Sequence, residues 1–246
     1  MRALLPEPAG FVDVHAWYGR DWLETGGVRA NFIASVDGAV SAGGLSRGLQ
    51  TEGDNRVFAA LRDLADVILV GAGTARAEGY AAVTASERRL EVRRRYGLPD
   101  ALPIAVVSAS LDLDESSALF TGALPGARTI VVTTAGSPAD RRTALADVAD
   151  VLVCGEQEID VVRLRAELSA RGLTRVLCEG GPALFGHLVQ HGGCDELCLT
   201  ISPLVVGPGP GRIVAGSAFG NHPRGLTLDG LVEEDGALFA RYRRSL

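Results

Sequence analysis

Asp66-Val67-Ile68-Leu69-Val70-Gly71-Ala72-Gly73-Thr74-Ala75-Arg76-Ala77-Glu78 reads as a buried strand running through two glycines into a helix. Four consecutive aliphatic residues suit a parallel sheet, whose strands are covered on both faces. The glycines let a ligand approach the backbone. The unpaired N–H groups of a helix predicted to start at Thr74 favour an anion such as phosphate. The segment is not a Rossmann fingerprint, because Arg76 stands where G-x-G-x-x-G places its third glycine.

The same alternation continues on both sides of this stretch. Strands are predicted at 28–35, 67–70, 104–108, 129–133, 151–154, 175–178 and 196–202. Helices are predicted between them at 53–64, 74–78, 86–96, 138–146, 160–171 and 182–190. Ser137 followed by Pro138 gives an N-cap with proline at the first helical position, and Gly172 stops the helix that ends at Arg171. Beyond Pro203 a Gly/Pro-rich loop at 205–212 leads to two strands, 225–233 and 237–243, joined across Glu234, Asp235 and Gly236 as a C-terminal hairpin. The fold class is α/β, with a mixed, mostly parallel sheet flanked by helices. Residues 1–246 read as one domain, with 1–27 an N-terminal extension to a core at 28–246.

Composition narrows the function. With 47% hydrophobic and 22% charged residues the chain has material for a large core. A net charge of −6 argues against nucleic acid as a partner. The dense basic run Arg88, Arg89, Arg93, Arg94 and Arg95 is interleaved with Glu87, Leu90, Glu91 and Val92 and reads as the solvated face of a helix. Two prolines and an acid break the start of the chain, so it lacks a signal peptide's apolar run, and no stretch reaches the ~18 apolar residues of a membrane span. A cytoplasmic location is expected. Cys154, Cys178, Cys194 and Cys198 lie in or beside apolar strands and read as reduced structural thiols.

Two further segments carry candidate chemistry. Asn31-Phe32-Ile33-Ala34-Ser35-Val36-Asp37-Gly38 is a strand ending in an acid and a glycine, which by itself is a turn signal. Arg175-Val176-Leu177-Cys178-Glu179-Gly180-Gly181-Pro182-Ala183-Leu184-Phe185-Gly186 repeats the strand, glycine and helix order, with Glu179 as the acid beside the turn. Two such turns at strand ends could hold the two ends of one dinucleotide. Glu179 reads either as a helix-capping surface carboxylate or as a partner for the N–H groups of a bound heterocycle.

Taken in order, N-F-I-A-S-V-D-G, L-R-x-x-A-D-V-I-L-V-G-A-G-T-A-R-A-E, V-L-C-E-G-G-P-x-L and D-E-L-C-L-T-I-S-P-L-V-V-G resemble the reductase domain of the riboflavin-biosynthesis deaminase/reductase over about residues 28–209. The resemblance implies a dihydrofolate-reductase-like fold, NADPH as cofactor, and a homodimer built partly through the 196–202 strand and the C-terminal hairpin. It implies cofactor contacts from Ala34, Gly71, Gly73, Thr74, Arg76, Glu78, Ser108, Gly180, Gly181, Pro182, Ala183, Leu184 and Phe185. On the substrate side it implies Ser46, Arg62 and Glu179, and it puts Asp37 with Glu179 near the reaction centre. Arg76 is the candidate for the cofactor's 2′-phosphate. Members of that family follow the Glu78 position with a basic residue that helps hold the substrate's ribose phosphate. Residues 79–85 contain none, which leaves Arg88 or Arg89 to replace it.

The implied activity is reduction of 5-amino-6-ribosylaminouracil 5′-phosphate or a similar pyrimidine. A dihydropterin reductase on the same scaffold, and a module that binds NADPH or a pterin without turnover, are the alternatives. No H-x-E with P-C-x-x-C is present, so deamination is not expected. His187 and His191 have the four-residue spacing of a metal pair but no evident third ligand, and no metal is expected. Residues 207–212 lack the Lys-Ser/Thr of a P-loop and read as a rigid surface loop, His15 and His222 stand alone, and no G-x-S-x-G occurs.

Overall fold

The computed structural model describes residues 1–209, 211–216 and 223–245; Pro210 of the Gly/Pro loop and His222 lie outside them. Along the chain come β1 (Arg2–Leu5), α1 (Val14–Gly19), α2 (Trp22–Thr25), β2 (Gly27–Ser35), a 3-10 turn (Ser46–Leu49) and α3 (Glu52–Asp63). There follow β3 (Val67–Gly71), α4 (Ala72–Glu78), α5 (Leu90–Arg95), β4 (Ile104–Val107), α6 (Ala118–Thr121), β5 (Ile130–Thr133) and α7 (Ala139–Ala146). The remaining elements are β6 (Asp150–Val153), α8 (Val161–Ser169), β7 (Arg175–Cys178), α9 (Pro182–Gln190), β8 (Glu196–Ser202), β9 (Leu226–Glu234) and β10 (Ala237–Arg244). The fold is mixed α/β, as the alternation implied, and it forms two compact units: Met1–Leu61 with Cys178–Leu246, and Arg62–Leu177.

In the Arg62–Leu177 unit the strands lie in the order β7-β3-β4-β5-β6, with β3 to β6 parallel. Val67, Ile68, Leu69 and Val70 are fully buried, which accounts for the unbroken aliphatic run. Asp66, also buried, accepts from Thr174 N (3.1 Å) and Arg175 N (2.9 Å) and pairs with the Arg175 guanidinium (2.9 Å), tying the start of β7 to the start of β3.

The basic run corrects the sequence reading. Arg93 is wholly buried, and its guanidinium donates to the carbonyls of Arg62 (3.2 Å), Asp63 (3.2 Å), Ala65 (2.8 Å), Pro99 (2.8 Å) and Ala101 (2.9 Å). Arg89 pairs with buried Asp63 at 2.8 Å, Arg94 pairs with Asp100, and Arg88 donates to the Asp100 carbonyl at 3.1 Å. The run is therefore largely a clamp on the end of α3 and the turn before β4. The helix is also shorter than the 86–96 predicted, because Arg89 takes a left-handed φ of 36° just before it.

In the other unit the order is β1-β9-β10-β8-β2. β2 and β8 run parallel with Arg29 opposite Glu196 and Ser35 opposite Ser202, while β10, β9 and β1 add antiparallel. Arg29 and Glu196 form a buried ion pair at 2.6 Å. The hairpin turns through Asp235 (φ 50°) and Gly236 (φ 80°), both positive, the geometry a two-residue hairpin loop needs. Both edges of β8 are paired, so only a face of this strand is open to a further contact.

Ser137 does not cap α7 as predicted. Its hydroxyl donates to Thr134 O, and Pro138 occupies the cap position. The cysteines are free and buried as expected, and desolvation pushes the thiols up, Cys154 to about 11 and Cys178 to about 12, so they stay protonated.

One buried acid escaped the sequence reading. Asp54, 4% exposed in the first turn of α3, takes a hydrogen bond from the Thr200 hydroxyl, and burial raises its carboxyl above the ordinary range. α3 comes this close because Gly53 lies against β10: a Cβ there would stand 2.7 Å from the Phe239 ring. A raised carboxyl makes the fold prefer the protonated acid. That contribution is whole below the unfolded value of about 3.9 and is lost as pH rises through the raised one. Asp54→Asn is expected to raise Tm by about 2–4 °C for each kcal/mol of charge burial relieved, at alkaline but not acidic pH. Melting curves across pH test this; a Tm lowered most at alkaline pH would contradict it.

Candidate functional site

The sequence-derived site residues fall in both units. In the Arg62–Leu177 unit, Gly71 ends β3 opposite Val107 of the parallel β4, so Gly71, Gly73 and Thr74 share an edge with Ser108, the residue after β4. α4 starts at Ala72, two residues earlier than predicted, which puts Gly73 in its first turn, and a Cβ on Gly73 would meet nothing within 4 Å. The backbone there is open to approach. Ser108 is buried, and its oxygen accepts from Leu111 N at 3.0 Å, bracing the turn after β4.

Arg76 does not stand free for a phosphate, since its Nη1 donates to the Asp112 carbonyl at 2.6 Å. Its side chain is half exposed, so this contact is exchangeable with a stronger anion. Glu78 closes α4, one and a half turns from Gly73, and Gly79 ends it in a left-handed conformation. Arg62, near the end of α3, is mostly buried, with Glu87 at 3.9 Å and the Tyr80 ring 5.8 Å from its guanidinium.

The other unit holds the remaining candidates. Glu179 is buried, 8% exposed, which disfavours the surface-carboxylate reading. It precedes Gly180, at φ 89°, and the extended Gly181 that caps α9. Pro182 occupies the first helical position, and the N–H groups of Ala183 and Leu184 lie beyond the helix's own bond ladder, as at any helix start. Phe185 packs its ring 4.8 Å from Phe32 of β2, which fixes this helix start against the strand carrying Ala34. His187 of α9 and His191, which caps it, have ring centroids 4.5 Å apart in a tilted contact.

At the end of β2, the Asp37 carboxylate accepts from the Ser35 hydroxyl (2.5 Å), Gly207 N (2.7 Å) and Val206 N (3.2 Å). These donors hold its pKa down at about 2, so Asp37 stays ionised at neutral pH and latches the loop after β8 to the turn after β2. Ala34 and Asp37 share the wall of a cavity of about 590 Å³ with Gly207 and Arg212. Ser46 begins the 3-10 turn that follows. The sequence reading missed this role of the 205–212 loop, because its partner Asp37 lies far away along the chain.

Parallel strands that end in glycine turns are a common build of α/β enzymes, which take their ligands at strand ends. The chain belongs to the RibD C-terminal domain family, whose model matches residues 27–233.

It is 28% identical over 182 residues to the 2,5-diamino-6-ribosylamino-4(3H)-pyrimidinone 5′-phosphate reductase of Archaeoglobus fulgidus, covering 73% of this chain and 81% of that one. It is 29% identical over 177 residues to the protein of the same name from Methanothermobacter thermautotrophicus, covering 72% and 77%. Among solved structures, a pyrimidine reductase-like protein of Corynebacterium diphtheriae superposes with a TM-score of 0.82 at 28% identity, over 96% of this chain and all of that one. The riboflavin biosynthesis reductase of Saccharomyces cerevisiae shares the fold at a TM-score of 0.67 and 17% identity, over 94% and 99%. No helix among the described residues is long and apolar enough to cross a membrane.

Proposed function

We propose that this chain is an NADPH-dependent reductase of a ribosylaminopyrimidine 5′-phosphate in riboflavin biosynthesis. What carries the reading is the pair of glycine turns, Gly71-Ala72-Gly73-Thr74 and Gly180-Gly181-Pro182, at strand ends in a chain of this family. The relatives' names favour the diaminopyrimidinone, which bears a 2-amino group.

The residues fit the cofactor. The backbone at Gly73 is open, and the first turn of α9 offers N–H groups to a pyrophosphate. When bound, NADPH supplies the hydride, received by a C=N or ring-opened sugar carbon of the substrate. Gly71, Gly73, Thr74 and Gly180 to Phe185 bind and orient the dinucleotide, with Ala34, Ser108 and Glu78 beside it. Glu179 holds the N–H groups of the heterocycle, Ser46 and Arg62 contact the substrate, and Asp37 holds the loop at the reaction centre. In this reading 1–246 is one reductase domain with its core at 28–246, acting in the cytoplasm as a homodimer. A dimer formed through β8 would use its face, because both of its edges are paired.

Loss of NADPH absorbance tests the activity, with the phosphorylated diaminopyrimidinone, its 2-oxo counterpart and dihydrofolate offered separately. Turnover of either pyrimidine supports the reading, and turnover of dihydrofolate alone overturns it. Glu179→Gln is expected to lower kcat/KM for the pyrimidine on the order of 10- to 100-fold, the worth of a charge-assisted hydrogen bond, with the NADPH Kd unchanged. An equal loss in NADPH affinity would remove Glu179 from the substrate side.

A further inference from the structure

We propose that His187 and His191 together bind a divalent transition-metal ion, Zn²⁺, Ni²⁺ or Cu²⁺, at the C-terminal end of α9, a site independent of the reductase reading. Side chains four residues apart on a helix share one face, the spacing at which two imidazoles hold one ion. The structure adds to that spacing. One ring nitrogen of each histidine lies within 4.8 Å of the other's, and the ring centroids are 4.5 Å apart. An ion about 2.0–2.1 Å from each nitrogen brings them to about 3.3 Å in a tetrahedral site, which side-chain rotation reaches without moving the backbone. The His191 N–H donates to the His187 carbonyl at 3.1 Å, so the helix's own bond joins the two ligand residues directly. His191 is exposed and His187 half-buried, which leaves the pair open to an ion from solution.

The place suits a cation. The last carbonyls of a helix carry its partial negative charge. Two arginines also reach this end of α9, Arg224 to the Gln190 carbonyl at 3.3 Å and Arg244 to the Gly192 carbonyl. Both line a cavity with Phe185 and Val189, and neither histidine is among its lining residues. His187 stands two residues, about 200° round the helix, from both Phe185 and Val189, so the histidine face of α9 is turned away from that cavity and its guanidiniums. Imidazole nitrogens select the ion: Zn²⁺, Ni²⁺ and Cu²⁺ take them, whereas Mg²⁺ and Ca²⁺ prefer oxygen. Water completes the coordination shell. The thiols, softer ligands for the same ions, are buried, and desolvation raises them so that they stay protonated.

Calorimetry with ZnCl₂ and MgCl₂ on the full-length protein, without an affinity tag and stripped of metal by a chelator, tests the site. One Zn²⁺ per chain is expected, with a Kd of about 100 μM or tighter, and no binding of Mg²⁺. His187→Ala and His191→Ala are each expected to weaken Zn²⁺ binding on the order of tenfold or more. Because the ion joins two residues of the folded helix, Zn²⁺ at about 100 times its Kd should raise the wild-type Tm by about 5–10 °C and leave that of His191→Ala unmoved. Should His187→Ala fail to fold, His191→Ala decides by itself, since that side chain is exposed. The proposal is overturned by a wild-type Kd weaker than about 100 μM, by Mg²⁺ binding as tight as Zn²⁺ binding, or by Zn²⁺ affinity unchanged in His191→Ala. None of these readouts uses NADPH or a pyrimidine, so failure of the reductase reading leaves the metal site standing, and the reverse.

Discussion

Arg93→Met is expected to destabilise the protein by about 3–5 kcal/mol, among the largest effects a single substitution can have here. Arg93 is wholly buried, and its five hydrogen bonds serve carbonyls at the end of α3 and in the segment before β4. Methionine keeps the stem's packing but takes the guanidinium from those carbonyls, of which that of Arg62 keeps Ala65 N at 3.2 Å, and each buried acceptor left stranded costs about 1–3 kcal/mol before relaxation. Arg93→Lys is expected to recover little, because a single ammonium cannot span carbonyls on both sides of a planar fork. Denaturant unfolding at constant m gives the answer directly. A loss below about 1 kcal/mol, the range of a surface substitution, would mean that the segment rearranges to satisfy itself and that the clamp is dispensable.

Gly180→Ala is the second. At φ 89° an L side chain is strained, and a Cβ would stand 3.1 Å from two atoms of the Phe32 ring, pressing on the Phe32–Phe185 contact that seats the start of α9. The strain alone costs about 1–3 kcal/mol. Gly97→Ala supplies the comparison, since Gly97 also has a positive φ, 67°, but open space where its Cβ would go. Gly180→Ala is expected to lower Tm by more than Gly97→Ala and to weaken NADPH binding on the order of tenfold, about 1.4 kcal/mol, while Gly97→Ala leaves NADPH binding unchanged. Equal effects on Tm would remove the Phe32 contact from the argument. An unchanged NADPH Kd would take the Gly180 turn out of the cofactor site.

Much of the fold could be read locally. β7, α9 and β8 have the predicted limits, and β2 to β6 lie within a residue or so of theirs, because a buried parallel strand must be continuously apolar and a turn with positive φ must be glycine-rich. The elements missed are β1, α1 and α2 in the first 27 residues, the 3-10 turn at Ser46–Leu49 and α6 (Ala118–Thr121), all of four to six residues and too short to show a period. β1 exists because β9 offers it an edge, with Arg2 opposite Glu233, and nothing near residue 2 announces that partner.

The candidate site divides in the same way. Where the backbone turns at strand ends was decided by the sequence: Gly71, Gly73, Gly180 and Gly181 follow apolar strands, and glycine leaves no side chain over the turn. Which charges remain available was decided only by the tertiary structure. Arg88, Arg89 and Arg93 looked like a solvated face because helical spacing says nothing about what lies opposite. The acid and carbonyls that engage them come from the end of α3 and the segment before β4. Asp37 read by itself as part of a turn, but it is also tied by N–H groups about 170 residues away, and with the Ser35 hydroxyl these hold its carboxyl down at about 2. Backbone preference acts between neighbours in the chain and can be read there, whereas the state of a charge depends on neighbours in space, which folding alone assembles.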